Sequence, residues 1–103
     1  MKSIIQSIIL DPNNNIKVGY CFDSHLIIEL IIEQYSDEYF KFISKSIKPN
    51  STNIANMGHG QLSMEIKKLS EDVDPIIEKC VCKSVSFTIH NKLSECALWK
   101  RIK

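Results

Sequence analysis

The sequence predicts an α+β domain in which helices cover one face of an antiparallel sheet. Three observations predict it: two apolar runs near the N-terminus have β-strand character, a long middle segment is aliphatic at helical spacing, and the last quarter alternates apolar with small polar residues. A chain of 103 residues is long enough to bury a sizeable core in one unit. We therefore expect a single domain over residues 1–103 with the element order β-β-α-α-β-β.

The first two predicted elements form an N-terminal β-hairpin. Ser3–Leu10 is rich in isoleucine on both faces, which is typical of a strand inside a sheet. Ile16–Phe22 alternates apolar residues with others, as a half-buried strand does. Residues 11–15 between them are Asp-Pro-Asn-Asn-Asn, a concentration of turn-forming residues.

A long helix with an acidic edge is predicted from Asp23 to Ile47. Asp23 or Ser24 can serve as its N-cap, because a short side-chain oxygen accepts a hydrogen bond from an amide of the first turn. The polar residues from Ser36 onwards also fit the start of a second helix, so one continuous helix and two abutting helices both satisfy the pattern. Pro49 is expected to end the helical region.

A loop and a shorter helix follow. Pro49–Gly60 has no regular period and predicts a long loop, whereas Gln61–Glu71 has apolar residues at helical spacing and predicts an amphipathic helix. Asp74 and Pro75 can cap and begin one further brief turn, which is expected to run through Glu78.

The C-terminal quarter predicts a second β-hairpin. From Val81 to Ile89, apolar residues alternate with cysteine, serine and threonine. Residues 95–102 fit either a strand or a short helix, and the turn at His90-Asn91-Lys92 favours the strand.

The composition excludes several classes of protein. Thirteen basic and 12 acidic residues leave a net charge of +1, so no overall field attracts nucleic acid or an anionic membrane. No apolar run reaches the roughly 18 residues of a transmembrane helix. The 4 cysteines lie in apolar, strand-like runs without a recognisable secretory leader, so we expect reduced thiols in a cytoplasmic protein.

A zinc site is the first alternative that the residues suggest. Cys80, Cys82, His90 and Cys96 offer the thiolate and imidazole ligands that zinc prefers. Their spacing lacks the paired knuckles of structural zinc sites, and small cysteines buried within the sheet account for the same residues. No metal ion or other cofactor is therefore predicted.

A catalytic site is the second alternative. His59 stands in Gly58-His59-Gly60, where a hinge or a helix entry is favoured over an anion-binding or catalytic site. A Cys/His pair can be drawn from Cys21, His25, His59 and His90, but no nucleophile turn or oxyanion loop is recognisable. We predict no enzyme and no catalytic residues, with a small enzyme or metal-binding protein using His59 and the cysteines as the alternative.

The C-terminus suggests a nucleic-acid-binding module as a further alternative. Trp99 followed by Lys100, Arg101 and Lys103 combines an aromatic ring with basic groups, a combination that can stack on a base and contact phosphate. Packing of Trp99 within the sheet explains the same residues, so nucleic acid is not the expected partner.

A row of acids on the long helix is the favoured candidate contact surface. Glu29, Glu33 and Asp37 recur every four residues and share one helix face, with Glu38 beside them. A solvated face is the simplest explanation, yet like charges at this spacing repel one another. A basic partner protein would compensate for that repulsion, and Tyr35 can supply an apolar anchor next to the acids.

In size, in composition and in its α+β order with an acid-edged helix, the chain resembles the small bacterial immunity proteins that protect cells from contact-dependent growth inhibition toxins and colicin-type nucleases. Glu29, Glu33, Asp37 and Glu38 carry the resemblance. It implies a cytoplasmic, non-enzymatic inhibitor that binds a toxin domain, expected to be a basic nuclease. Asp72 and Asp74 are further candidate partner-binding residues on the same grounds. No membrane partner is expected, because of the charge balance and the lack of a long apolar run.

Overall fold

The protein is an α+β domain with an antiparallel sheet, as the sequence predicts. The computed structural model describes residues 1–46, 54–88 and 91–103, and describes side chains at 1–45, 59–88 and 91–103. In these ranges the elements are α1 (Lys2–Leu10), a 3-10 turn (Pro12–Asn14), β1 (Cys21–Asp23), α2 (Ser24–Gln34), α3 (Ser36–Ser46), α4 (Ile54–Ser70), β2 (Ile77–Phe87) and β3 (Leu93–Arg101). The strand order is β1-β3-β2.

The predicted N-terminal hairpin is wrong, because Ser3–Leu10 lies within α1 and only the last two residues of Ile16–Phe22 belong to β1. Ile5, Ile8 and Ile9 are fully buried at the i, i+3, i+4 spacing of one helix face. An isoleucine-rich run is compatible with a buried helix as well as with a buried strand. Packing against the rest of the core therefore outweighs the β preference of isoleucine.

Tyr35 divides the predicted long helix into α2 and α3. Its backbone angles, φ −136° and ψ 48°, leave the helical region, and α3 begins at Ser36. The predicted N-cap is confirmed, because Asp23 Oδ1 accepts a hydrogen bond from the Leu26 amide at 2.8 Å. Ile47, the predicted end of the helix, lies outside the described residues.

α4 is longer than the predicted second helix. It begins at Ile54, so the predicted Pro49–Gly60 loop is wrong from residue 54 onwards, while residues 49–53 lie outside the described ranges. The predicted apolar stripe is confirmed, since Leu62, Ile66 and Leu69 are buried. The brief turn expected through Glu78 is also wrong, because β2 already begins at residue 77.

The predicted C-terminal hairpin is confirmed. β2 and β3 pair antiparallel, with Phe87 opposite Leu93 and a register shift between Lys79 and Lys83. Asn91 adopts φ 58° in the turn, a conformation that asparagine tolerates better than most residues. Residues 89 and 90 lie outside the described ranges.

The C-terminal strand anchors the core. Trp99 is 1% exposed, lies opposite Phe22 of β1, and donates its indole N–H to Ser24 Oγ at 3.0 Å. Nη1 of Arg101 donates to the carbonyl oxygens of Ile9 and Ile16 at 3.3 and 2.7 Å. These bonds tie β3 to α1 and to the segment before β1.

Across the part of the chain that the structure describes, no helix combines the length and apolar character that a membrane crossing requires.

Candidate functional site

The predicted acid row is split between two helices. Glu29 and Glu33 lie on α2 and Asp37 and Glu38 on α3, and all four side chains are exposed. Tyr35, the proposed anchor, is half-buried and packs against the core. Because the helix is interrupted at Tyr35, only Glu29 and Glu33 lie one turn apart on the same helix.

The other two predicted acids are paired with lysines of the same chain. Asp72 lies 2.6 Å from Lys2 Nζ, and Asp74 forms an ion pair with Lys103. Exposed pairs of this kind contribute at most about 1 kcal/mol, so a competing partner can displace them. Neither acid lies on the helices that carry the acid row.

An exposed apolar face on the β2–β3 hairpin is the surface that sequence reasoning missed. Val85, Phe87 and Leu93 are 65%, 60% and 65% exposed. Phe87 pairs with Leu93, and Val85 lies two residues further along the same face, so the three side chains are neighbours. The alternation in sequence identified the strand but could not tell which of its faces the helices cover.

The opposite face of this hairpin is polar and meets the start of α2. Ser84 donates to Asp23 Oδ2 at 2.9 Å, and Ser86 Oγ lies 2.6 Å from His25 Nδ1. The same Ser86 hydroxyl is 3.9 Å from Cys96 Sγ. Side chains from β1, α2, β2 and β3 therefore form one half-buried polar cluster.

Asp23 is ionised in this cluster at neutral pH. Burial of its carboxylate works to raise the pKa, but several groups favour the charged form. The hydrogen bond from the Leu26 amide, those from the serine hydroxyls and the nearby imidazole outweigh burial and hold the pKa below its ordinary value.

A cavity of about 280 Å³ lies between α2 and the tip of the β2–β3 hairpin. His25, Glu29, Phe87, Thr88 and Asn91 line it. Glu29 of the acid row and Phe87 of the apolar face therefore share its wall, although 58 residues of sequence separate them. Sequence spacing carried no signal for this shared lining, because α3 and α4 lie between the two residues along the chain.

His59 has a packing role in α4 and is not in a loop. Its Nε2 lies 2.8 Å from the Tyr39 hydroxyl, and the rings are tilted with centroids 6.0 Å apart. Burial raises the pKa of Tyr39, so this phenol stays neutral at physiological pH. The prediction of a hinge or helix entry at Gly58-His59-Gly60 is wrong, because α4 already includes these residues.

The cysteines are less buried than expected. Cys82 is exposed and Cys80 and Cys96 are half-buried, so the prediction that these three are buried in the sheet is wrong for Cys82. Cys21 is also exposed. Burial and a hydrogen bond with Cys21 raise the pKa of Cys80.

Among the residues that the structure describes, the potential metal ligands that lie together differ from the zinc ligands considered from sequence. His90 lies outside the described residues, and Cys96 is grouped with Asp23 and His25 instead of Cys80 and Cys82.

The aromatic residue proposed for nucleic-acid stacking is unavailable to a base. Trp99 is buried, and the Arg101 guanidinium is engaged with backbone carbonyl oxygens. The alternative in which Trp99 stacks on a nucleobase is therefore wrong.

Comparison of the chain with protein-family models, curated proteins and solved structures finds no match.

Proposed function

We propose that the protein is a non-enzymatic inhibitor that binds a partner protein, and that it acts as an immunity protein for a bacterial toxin domain. The observation that carries the proposal is the exposed apolar hairpin face formed by Val85, Phe87 and Leu93, of which Phe87 lines the same cavity as Glu29. We call this combination of the three apolar residues with Glu29 and Glu33 the hairpin–α2 surface.

The apolar part of this surface has the character of an interface centre. A contiguous group of large exposed apolar side chains marks an interaction site more often than scattered ones do. Lys83 and Glu95 flank it with an exposed ion pair of 3.4 Å. An apolar centre with a charged rim is the usual arrangement of protein interfaces, and aromatic residues such as Phe87 supply much of the binding energy.

The charged part of the hairpin–α2 surface favours a partner protein with a basic binding surface. Glu29 and Glu33 repel each other across one helical turn, and no ion pair to either acid is found among the described residues. Opposite charges on a partner would relieve that repulsion and speed association. A toxin nuclease with a basic substrate-binding surface meets this requirement.

Capture of the partner from the host, followed by reconstitution from purified components, tests the proposal. Binding of the chain to the purified toxin domain is measured by calorimetry, and protection is measured as growth of cells that express the toxin. We expect a stoichiometric complex that restores growth. Absence of a complex with any toxin domain, or a complex without protection, contradicts the proposed function.

Two substitutions test the surface itself. Phe87→Ser should weaken binding by about 2 kcal/mol or more, which is roughly 30-fold, because it removes the central aromatic anchor. Glu29→Lys should slow association and weaken its dependence on salt. Val73→Ser and Glu71→Lys change an exposed apolar side chain and an exposed acid outside the hairpin–α2 surface, so they should leave affinity unchanged. Equal effects of test and control variants would exclude this surface.

A further inference from the structure

Three potential metal ligands meet where β1 joins α2 beneath the hairpin. Asp23 ends β1, His25 lies in the first turn of α2, and Cys96 lies in β3. One ligand atom from each residue lies within 4.8 Å of the other two, and all three side chains are half-buried. The arrangement is independent of the proposed inhibitor role.

The donor types match one metal closely. A thiolate, an imidazole and a carboxylate are all ligands of Zn²⁺, with bond lengths of about 2.0 to 2.3 Å. In a tetrahedral site these bond lengths place ligand atoms about 3.4 to 3.6 Å apart. Separations of 4.8 Å or less therefore need only side-chain adjustments of about 1 Å to close around the ion.

Surrounding hydrogen bonds hold two of the ligands in place. The Ser84 hydroxyl binds Asp23 Oδ2, and the Ser86 hydroxyl contacts His25 Nδ1. Hydrogen bonds to ligand side chains of this kind orient metal sites and tune their affinity. Asp23 is further held by its capping bond to the Leu26 amide, so the carboxylate is fixed on a rigid helix start.

The cavity beside the cluster provides an open side. His25 forms part of its wall, and its volume of about 280 Å³ is large enough for water or a small ligand. A site with three protein ligands and one position open to solvent is the arrangement that leaves zinc able to bind an exogenous group.

We propose that Asp23, His25 and Cys96 bind one Zn²⁺, with the fourth position open to the cavity. Binding releases the Cys96 thiol proton to solvent, because the thiolate is the form that binds the metal. The site differs from the zinc ligands considered from sequence, because only Cys96 is common to both sets.

Cobalt titration of the untagged, reduced protein tests the site. The triple variant C21S/C80S/C82S leaves Cys96 as the only thiol, and circular dichroism shows whether this variant keeps the native fold. We expect one Co²⁺ per chain, with a thiolate charge-transfer band and the intense visible bands of tetrahedral cobalt. Zinc should displace the cobalt and abolish these bands.

Ligand substitutions in the otherwise native chain complete the test. Cys96→Ser should abolish the charge-transfer band. His25→Gln and Asp23→Asn should weaken Zn²⁺ binding by at least about 100-fold, more than the loss of a hydrogen-bonding neighbour usually costs. Asparagine is also a good N-cap, so Asp23→Asn keeps the helix start.

Cys82→Ser is the matched control for removal of a thiol, because Cys82 is exposed and lies outside the cluster. It should leave Zn²⁺ affinity unchanged. Retention of the charge-transfer band in the Cys96→Ser variant, or no stoichiometric binding to the native chain, would overturn the proposal.

Discussion

Replacement of Asp23 tests how the helix start supports the polar cluster. Asp23→Ala removes the N-cap of α2, which costs about 1 kcal/mol in helices of this kind. It also removes the acceptor of the Ser84 hydroxyl bond at 2.9 Å, a loss of about 1 kcal/mol for a half-buried pair. The free energy of unfolding should therefore fall by about 2 kcal/mol, which corresponds to roughly 8 to 16 °C in melting temperature for a domain of this size.

The Asp23→Asn variant separates the contribution of the helix cap to stability from the contribution of the negative charge. Asparagine retains the capping oxygen, so the loss of stability should be about half that of alanine. Urea unfolding followed by circular dichroism measures both differences. An alanine variant as stable as the native chain, or an asparagine variant less stable than the alanine one, would refute the assignment of these two roles.

The same pair of variants predicts a pH dependence with a definite sign. The folded-state pKa of Asp23 lies below its unfolded value of 3.8, so the contribution of its charge is fully present above pH 3.8. That contribution is lost as pH falls through the lower, folded-state pKa. The stability difference between the native chain and Asp23→Asn should thus close in acid, and a constant difference from neutral pH down to about pH 2 would contradict the pKa direction.

Three further changes test the fold around the site. Gly60→Ala should raise the free energy of unfolding by about 0.5 to 1 kcal/mol, since an added Cβ in α4 meets nothing within 4 Å; a loss of stability on urea unfolding would contradict this packing. Ser24→Ala should cost about 1 to 3 kcal/mol, because it leaves the buried Trp99 indole N–H without its acceptor. The same change should cost less in a Trp99→Phe background, and equal costs in a double-mutant cycle would exclude the bond. Alkylation of Cys80, followed by mass spectrometry, should have a midpoint above pH 9.0 that Cys21→Ala lowers; an unchanged midpoint would show that the two thiols do not interact.

The candidate surfaces were only partly accessible to sequence reasoning. Glu29 and Glu33 were found because four-residue spacing is a local property of a helix. The apolar hairpin face was not found, since alternation defines two faces of a strand without indicating which one is covered. The grouping of His25 with Cys96 was missed for a related reason, because no spacing rule connects the first turn of a helix with a strand from the opposite end of the chain.

The sequence by itself determined the features that depend on neighbouring residues. These include the Asp23 cap, the buried stripe of α4, the β2–β3 hairpin and the α+β class. Tertiary structure alone decided that Ser3–Leu10 is a helix, because its isoleucines satisfy both helical and strand periods and the partners they pack against select one. Tertiary structure also decided that the helix pair separates at Tyr35 and that the polar cluster forms, since each depends on contacts between segments distant in sequence.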